Sequence, residues 1–133
     1  NEDFAEAVKR ATGGRGVDVI LDIIGAPYTQ RNLDSLALNG RLIQIGVMGG
    51  SNAQISLRTM LTQRLTISGS TLRARTPAEK GAIAAALERQ VWPLLANGRV
   101  APVVHATFPL EQAAEAHRAL ESGHVIGKVV LTT

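Results

Sequence analysis

The sequence predicts an α/β fold built on a parallel, doubly wound sheet, and three observations carry that prediction. Strand-like segments rich in β-branched residues alternate with segments of helical periodicity along the chain. The run Val17-Asp18-Val19-Ile20-Leu21-Asp22-Ile23-Ile24 is broken only by two aspartates, the pattern of a strand covered on both faces. A glycine cluster, Gly46-Val47-Met48-Gly49-Gly50, directly follows the strand-like Arg41-Leu42-Ile43-Gln44-Ile45. Glycine at the carboxyl end of a buried strand lets the backbone turn tightly and a ligand approach, and open α/β sheets bind ligands at that edge.

Each element has a local reason. Asp3 caps a first helix with Glu6 three residues on, Phe4, Ala7, Val8 and Ala11 form its apolar stripe, and Gly13-Gly14 end it. The strand from Val17 ends in a glycine, Gly25, and Pro27 then opens a helix carrying Leu33, Leu36 and Ala37, with Asn39-Gly40 as its stop. The strand Arg41 to Val47 completes a strand–helix–strand unit. Ser56 caps a short helix through Gln63, and Leu65 to Leu72 alternates as a third strand, with Gly69 marking a close approach. Thr76-Pro77-Ala78-Glu79 starts a long helix with Ile83, Leu87, Val91 and Leu94-Leu95 at helical spacing, ending at Asn97-Gly98. A strand Val103 to Phe108, a helix Leu110 to Glu121 with Ala113, Ala116 and Leu120 inward, and a strand Lys128 to Leu131 follow. The seam between the halves falls near Arg73 to Thr76.

Composition narrows the function classes. At 133 residues the chain can bury a real core, which with 45% hydrophobic and 3% aromatic residues is made of Ala, Val, Ile and Leu. No apolar run approaches the roughly 20 residues that span a bilayer, and Asn1-Glu2-Asp3 does not open a signal peptide. The net charge of +3 comes from scattered basic residues with few aromatics among them, a solvated surface rather than a nucleic-acid interface. The absence of cysteine removes disulfides and thiolate zinc ligands and is compatible with a cytoplasmic protein.

Candidate sites follow from the strand ends. No strand–GxGxxG–helix unit occurs, so the glycines after Ile24 and Ile45 read as half of a cofactor site. Gly13-Gly14-Arg15-Gly16 lies between a helix and the strand that follows it, the reverse of a phosphate loop, and reads as a helix stop. His105, His117 and His124 lack metal-ligand spacing. Asp18 and Asp22 share a strand face; the first is expected at the exposed start, the second bonded to a loop or a ribose hydroxyl. Tyr28 reads as helix-start packing and Lys128 as a solvated strand-edge residue. The chain begins on a helix where doubly wound domains begin on a strand, and Asn1 is not an initiator methionine, so an amino-terminal truncation is expected.

Ordered blocks then carry a family resemblance. Val17 to Gly25, Leu36-Ala37-Leu38-Asn39-Gly40-Arg41, Ile45-Gly46-Val47-Met48-Gly49-Gly50, Ser70-Thr71-Leu72-Arg73-Ala74-Arg75, Glu115-Ala116-His117 and Ile126 to Leu131 resemble successive blocks of the quinone oxidoreductases. These belong to the medium-chain dehydrogenase/reductase superfamily, and the nearest branch is the zinc-independent, p53-inducible quinone oxidoreductase type. The resemblance implies that residues 1–75 are the carboxyl half of an NAD(P)-binding Rossmann domain. It implies that residues 76–133 are the segment that returns to a GroES-like catalytic domain. The parent would be an NADPH-dependent reductase, with NADH possible, moving hydride to a quinone or enone.

By position, the resemblance assigns cofactor contacts to Ile24, Ile45, Gly46, Val47, Met48, Ser70, Thr71 and Leu72. Val125 stands where some relatives place an asparagine, so a polar contact is replaced by an apolar one. A carboxamide needs backbone N–H and C=O groups at fixed distance, while the hydride-bearing ring needs apolar neighbours that exclude water. The resemblance places catalytic residues, and those that read the adenosine phosphate, outside these 133 residues, and implies little activity for the chain alone. It also implies a homodimer through the strand 65–72. Two other readings stay open: a non-catalytic dimerising α/β module, and part of an enoyl reductase or zinc-type alcohol dehydrogenase of the same superfamily.

Overall fold

The computed structural model describes residues 2–133. They divide into two compact units, the first ending at Arg75 and the second starting at Thr76. No helix among them is long and apolar enough to cross a membrane.

In the first unit, helix α1 (Phe4–Ala11) leads into strand β1 (Val17–Asp22), α2 (Ala26–Asp34), β2 (Leu36–Gln44), α3 (Leu57–Gln63) and β3 (Thr66–Gly69). The sheet order is β1-β2-β3, all parallel, so β1 and β3 are its edges. Asp3 caps α1 by accepting the N–H groups of Ala5 (2.9 Å) and Glu6 (3.4 Å), and pairs at 2.6 Å with Arg31 of α2. Arg31 also lies 4.4 Å over the Phe4 ring, which packs 5.2 Å from Tyr28, so one guanidinium joins the two helices. Tyr28 therefore has the packing role expected for it.

The core of this unit is Leu33, Leu36, Leu42 and Leu65, with Val17, Ile20, Ile55 and Met60 against it. Contacts run α1 to α2, α2 to α3, and from α2 and α3 to β2, so the helices form one layer on one face. That corrects the expectation of a β1 covered on both faces, because Leu21 is 64% exposed and Val19 is also open. Leu21 pairs with Ile43 and Val19 with Arg41 on that second face, where no helix of this unit packs.

Other boundaries differ from expectation as well: β2 stops at Gln44 rather than Val47, and three more have local causes. β1 stops at Asp22 rather than Ile24 because the Asp22 side chain takes the next backbone donors. Helix α2 stops at Asp34, since Ser35 caps it through its hydroxyl bond to Arg31 O (2.7 Å) while its own carbonyl accepts Val17 N–H (3.0 Å). Leu36 and Ala37 thus enter β2, and Asn39, at φ 64°, turns the chain inside an irregular stretch where Val17 pairs with Leu36 but Val19 with Arg41. β3 ends at Gly69 because the chain folds back, with Arg75 N–H bonded to Leu72 O (3.2 Å).

The second unit contains α4 (Pro77–Gln90), α5 (Trp92–Ala96), β4 (Val104–Pro109), a 3-10 turn (Leu110–Gln112), α6 (Ala113–Glu121) and β5 (Lys128–Thr132). β4 and β5 pair in parallel with α6 as the crossover between them. The single long helix expected to reach Leu95 is two helices, because Pro93 has no N–H for the i−4 carbonyl and a new helix starts beside it. Ala116 is buried on α6, but Leu120 is turned outward, while Ala119 is half-buried.

The Thr76 capping box is complete: Glu79 N–H donates to the Thr76 hydroxyl (3.3 Å) and Thr76 N–H to the Glu79 carboxylate (2.8 Å). The Thr76 N–H, then its hydroxyl, hold the exposed Glu79 carboxyl below the ordinary carboxylate range. A lowered folded-state value means that the contribution is present above about pH 4.3 and is lost as the pH falls further. The stability advantage of wild type over Glu79→Gln, measured by thermal unfolding, should therefore narrow on acidification through that range. A difference independent of pH would contradict the assignment.

Candidate functional site

The candidate site is assembled from the turns that follow the three parallel strands of the first unit. Asp22, the last residue of β1, is only 4% exposed and spends its carboxylate on the turn beyond it. Oδ1 accepts Ile24 N–H at 2.6 Å, both oxygens share Gly25 N–H at 3.2 Å, and Oδ2 accepts the Asn32 side-chain amide at 3.1 Å. Gly25 sits at φ +84°, and a Cβ built there would stand 2.5 Å from Gly50 O, so this position needs glycine for conformation and for space.

The turns after β1 and β2 interlock. Met48 N–H donates to Ile23 O (3.1 Å), Gly49 N–H to Ile24 O (2.8 Å) and Ala26 N–H to Gly50 O (3.0 Å). Gly46 backs directly onto the first turn, where an added Cβ would lie 3.0 Å from Ile23 O. Gln44 ties the same corner together, its side-chain amide donating to Asp22 O (3.2 Å) and to Gly46 O. On the other side Ser70 N–H donates to Gln44 O at 3.0 Å. Arg75 folds back on that last turn, donating to Thr71 O (3.1 Å) and to the Ser70 hydroxyl (3.4 Å).

Between the second and third turns lies an open cleft of about 510 Å³ lined by Gln44, Ile45, Gly46, Val47, Gly69, Ser70 and Thr71. Five of the expected contact residues thus share one cleft: Ile45, Gly46, Val47, Ser70 and Thr71. Ile24 joins through its carbonyl bond to Gly49, while Met48 (79% exposed) and Leu72 present apolar side chains to solvent on the same two turns. Val125 belongs to the second unit, on the connection between α6 and β5, and is half-buried there. Ile45, Met48 and Ser70 have their N–H groups bonded to neighbouring carbonyls. Among the described residues, Gly46, Val47, Thr71 and Leu72 have N–H groups without a backbone partner.

The start of α2 is not a phosphate cradle. Gly25 and Ala26 donate to Asp22 and Gly50, Pro27 has no N–H, and Tyr28 donates to Gly25 O. A helix start whose donors are engaged offers an anion little. Asp18, four residues before Asp22, is exposed and paired with Arg15 at 2.8 Å, which lowers its carboxyl. His105, His117 and His124 are exposed on β4, α6 and the loop after it. Among the described residues no three His, Cys, Asp or Glu side chains gather as a metal-binding group.

Sequence reasoning singled out the glycines and Asp22 but missed Asn32, Gln44 and Arg75. The one available signal was Gln44, a polar residue in an otherwise aliphatic strand.

Comparison with known proteins places the chain in a family. The pattern of the zinc-binding dehydrogenase family matches residues 1–131. The quinone oxidoreductase of Lama guanicoe is 33% identical over 127 residues, covering 95% of this chain and 37% of the relative. Acryloyl-coenzyme A reductase of Metallosphaera sedula is 31% identical over 131 residues, covering 98% of this chain and 35% of the relative. A mycobacterial quinone oxidoreductase structure superposes with a TM-score of 0.66 at 29% identity, over 100% of this chain and 41% of that one. The chain thus spans little more than a third of these two curated relatives. It belongs to the zinc-binding dehydrogenase family, within the medium-chain dehydrogenase/reductase superfamily, and its parallel α/β arrangement is that of their Rossmann-like domains. The family name implies zinc, but the described residues do not offer that ion a ligand set.

Interlocking of the turns makes a stability prediction. Gly25→Ala adds a clash to an unfavourable φ and should cost about 1–3 kcal/mol by denaturant unfolding. Gly13→Ala, also at positive φ but with nothing within 4 Å, should cost less. Equal costs would show that the turns do not press on each other.

Proposed function

We propose that this member of the zinc-binding dehydrogenase family forms the nicotinamide side of the cofactor site in an NADPH-dependent reductase, with NADH as the alternative donor. On this reading the first unit is the carboxyl half of a Rossmann domain and the second is part of a GroES-like catalytic domain. The observation that carries it is the cleft at the carboxyl ends of β2 and β3, where ligands of doubly wound sheets bind.

The bound nucleotide supplies hydride from its nicotinamide ring. Ile45, Gly46 and Val47 would floor that ring, Met48 and Leu72 would keep water from it, and the N–H groups near Val47 and Thr71 would orient the carboxamide. Ile24 and Ser70 shape the margins. The engaged α2 terminus and the absence of a GxGxxG turn agree with a pyrophosphate held by a part of the protein outside this chain. The acceptor is a quinone or another conjugated carbonyl, and no metal is required of these residues. A chain without cysteine suits a cytoplasmic enzyme.

Similarity to an acryloyl-coenzyme A reductase favours a second reading, in which the conjugated carbonyl is an enoyl thioester. Turnover of a quinone against an enoyl thioester by the full-length protein separates the two. Because β3 is an edge strand, we also propose that it pairs with its twin in a homodimer. A monomer by sedimentation would contradict that assembly.

Fluorescence titration with NADPH tests the site in this chain and in the full-length protein. Saturable binding by the full-length protein is expected, and Gly46→Val, which forces side-chain bulk against Ile23, should weaken it by about tenfold or more. A full-length protein that binds neither NADPH nor NADH would overturn the reading.

A further inference from the structure

We propose that Asp22 and Asn32, joined to Gln44, are positioning residues that set the nicotinamide floor without touching the cofactor; this inference rests on the function proposed above. Asp22 is the one buried carboxylate among the described residues, and every bond recorded for it is internal. Its two oxygens face different partners. Oδ1 fixes the N–H groups of Ile24 and Gly25, which places the turn that Met48 and Gly49 then grip through Ile23 O and Ile24 O. Oδ2 accepts from Asn32, a 5%-exposed side chain on the inward face of α2, which fixes the carboxylate's rotation. The backbone carbonyl of the same aspartate accepts Ile45 N–H at 2.9 Å and the Gln44 amide, whose second bond goes to Gly46 O.

One residue therefore sets both turns: its side chain positions the first and its backbone the second. The chemistry demands this order of donors and acceptors, because only an acceptor at position 22 satisfies two backbone N–H groups, and only a donor at position 32 satisfies what remains. Reversing position 32 alone breaks the pattern, because Asn32→Asp places a second carboxylate beside a buried one. Asp22→Asn alone is accommodated, since the Asn32 amide can rotate to present its oxygen to the new donor. Reversing both restores it, since an amide at position 22 can accept from the backbone and donate to a carboxylate at position 32.

The test uses the full-length protein, with NADPH titration and thermal unfolding measured on wild type, Asp22→Asn, Asn32→Asp and the double variant that combines the two. Asn32→Asp should weaken NADPH binding by about tenfold or more, Asp22→Asn by less, and the double variant should recover to within about threefold of wild type. A wild type that binds neither NADPH nor NADH overturns the functional reading and this inference with it. A wild type that binds, beside a folded Asn32→Asp that binds equally well with only a lowered melting temperature, overturns this inference alone by reducing the pair to a structural part. A folded double variant no better than Asn32→Asp also overturns it, because the donor–acceptor order would then not be what matters. Should Asn32→Asp fail to fold, the double variant still decides: folding with restored NADPH binding supports the order, and folding without binding overturns it.

Discussion

The buried carboxylate of Asp22 is the constraint on which the first unit depends. A charge taken out of water is costly unless hydrogen bonds replace its solvation. Here two backbone N–H groups and one side-chain amide do so, all from the turn and helix that follow β1. The same bonds end the strand and fix the turn before α2, and the next N–H, that of Ala26, donates to Gly50 O. Fold and candidate site are thus set by one group, and the glycines near it serve the close approach that the group enforces.

Around that corner the first unit is lopsided. Its helices cover one face of the sheet over a small leucine core, while Val19 and Leu21 lie open on the other. Parallel sheets of this kind have both faces covered, and β1 carries no lysine, proline or outward charge at its centre to discourage pairing along its free edge. The proposed nicotinamide site lies at the carboxyl ends of β2 and β3, and the engaged start of α2 offers an anion little.

Much of this was legible in the sequence, for physical reasons that differ by element. The parallel strands could be read because aliphatic runs end in glycine, and α4 because Thr76, Pro77 and Glu79 spell out a cap. The end of β1 was misjudged because hydrophobic pattern alone carries Ile23 and Ile24 into the strand, whereas a local carboxylate captures the N–H groups of Ile24 and Gly25. The end of α2 was misjudged because Leu36 and Ala37 fit a helical stripe as well as a strand, and the bond from Val17 to Ser35 decides the matter. Asn32 and Arg75 were invisible because their roles depend on contacts across 10 residues and across a turn. Amphipathic pattern shows which face a residue is on but not which acceptor it meets there.

The most direct test of the central claim is a crystal structure of the full-length protein with NADPH bound. The nicotinamide ring is expected against Ile45, Gly46 and Val47, its carboxamide within hydrogen-bond reach of the backbone near Val47 or Thr71, and the Asp22 bonds intact beneath it. A nicotinamide bound away from these two turns, or a turn at Ile24–Gly25 rebuilt around the cofactor with the Asp22 bonds broken, would contradict it.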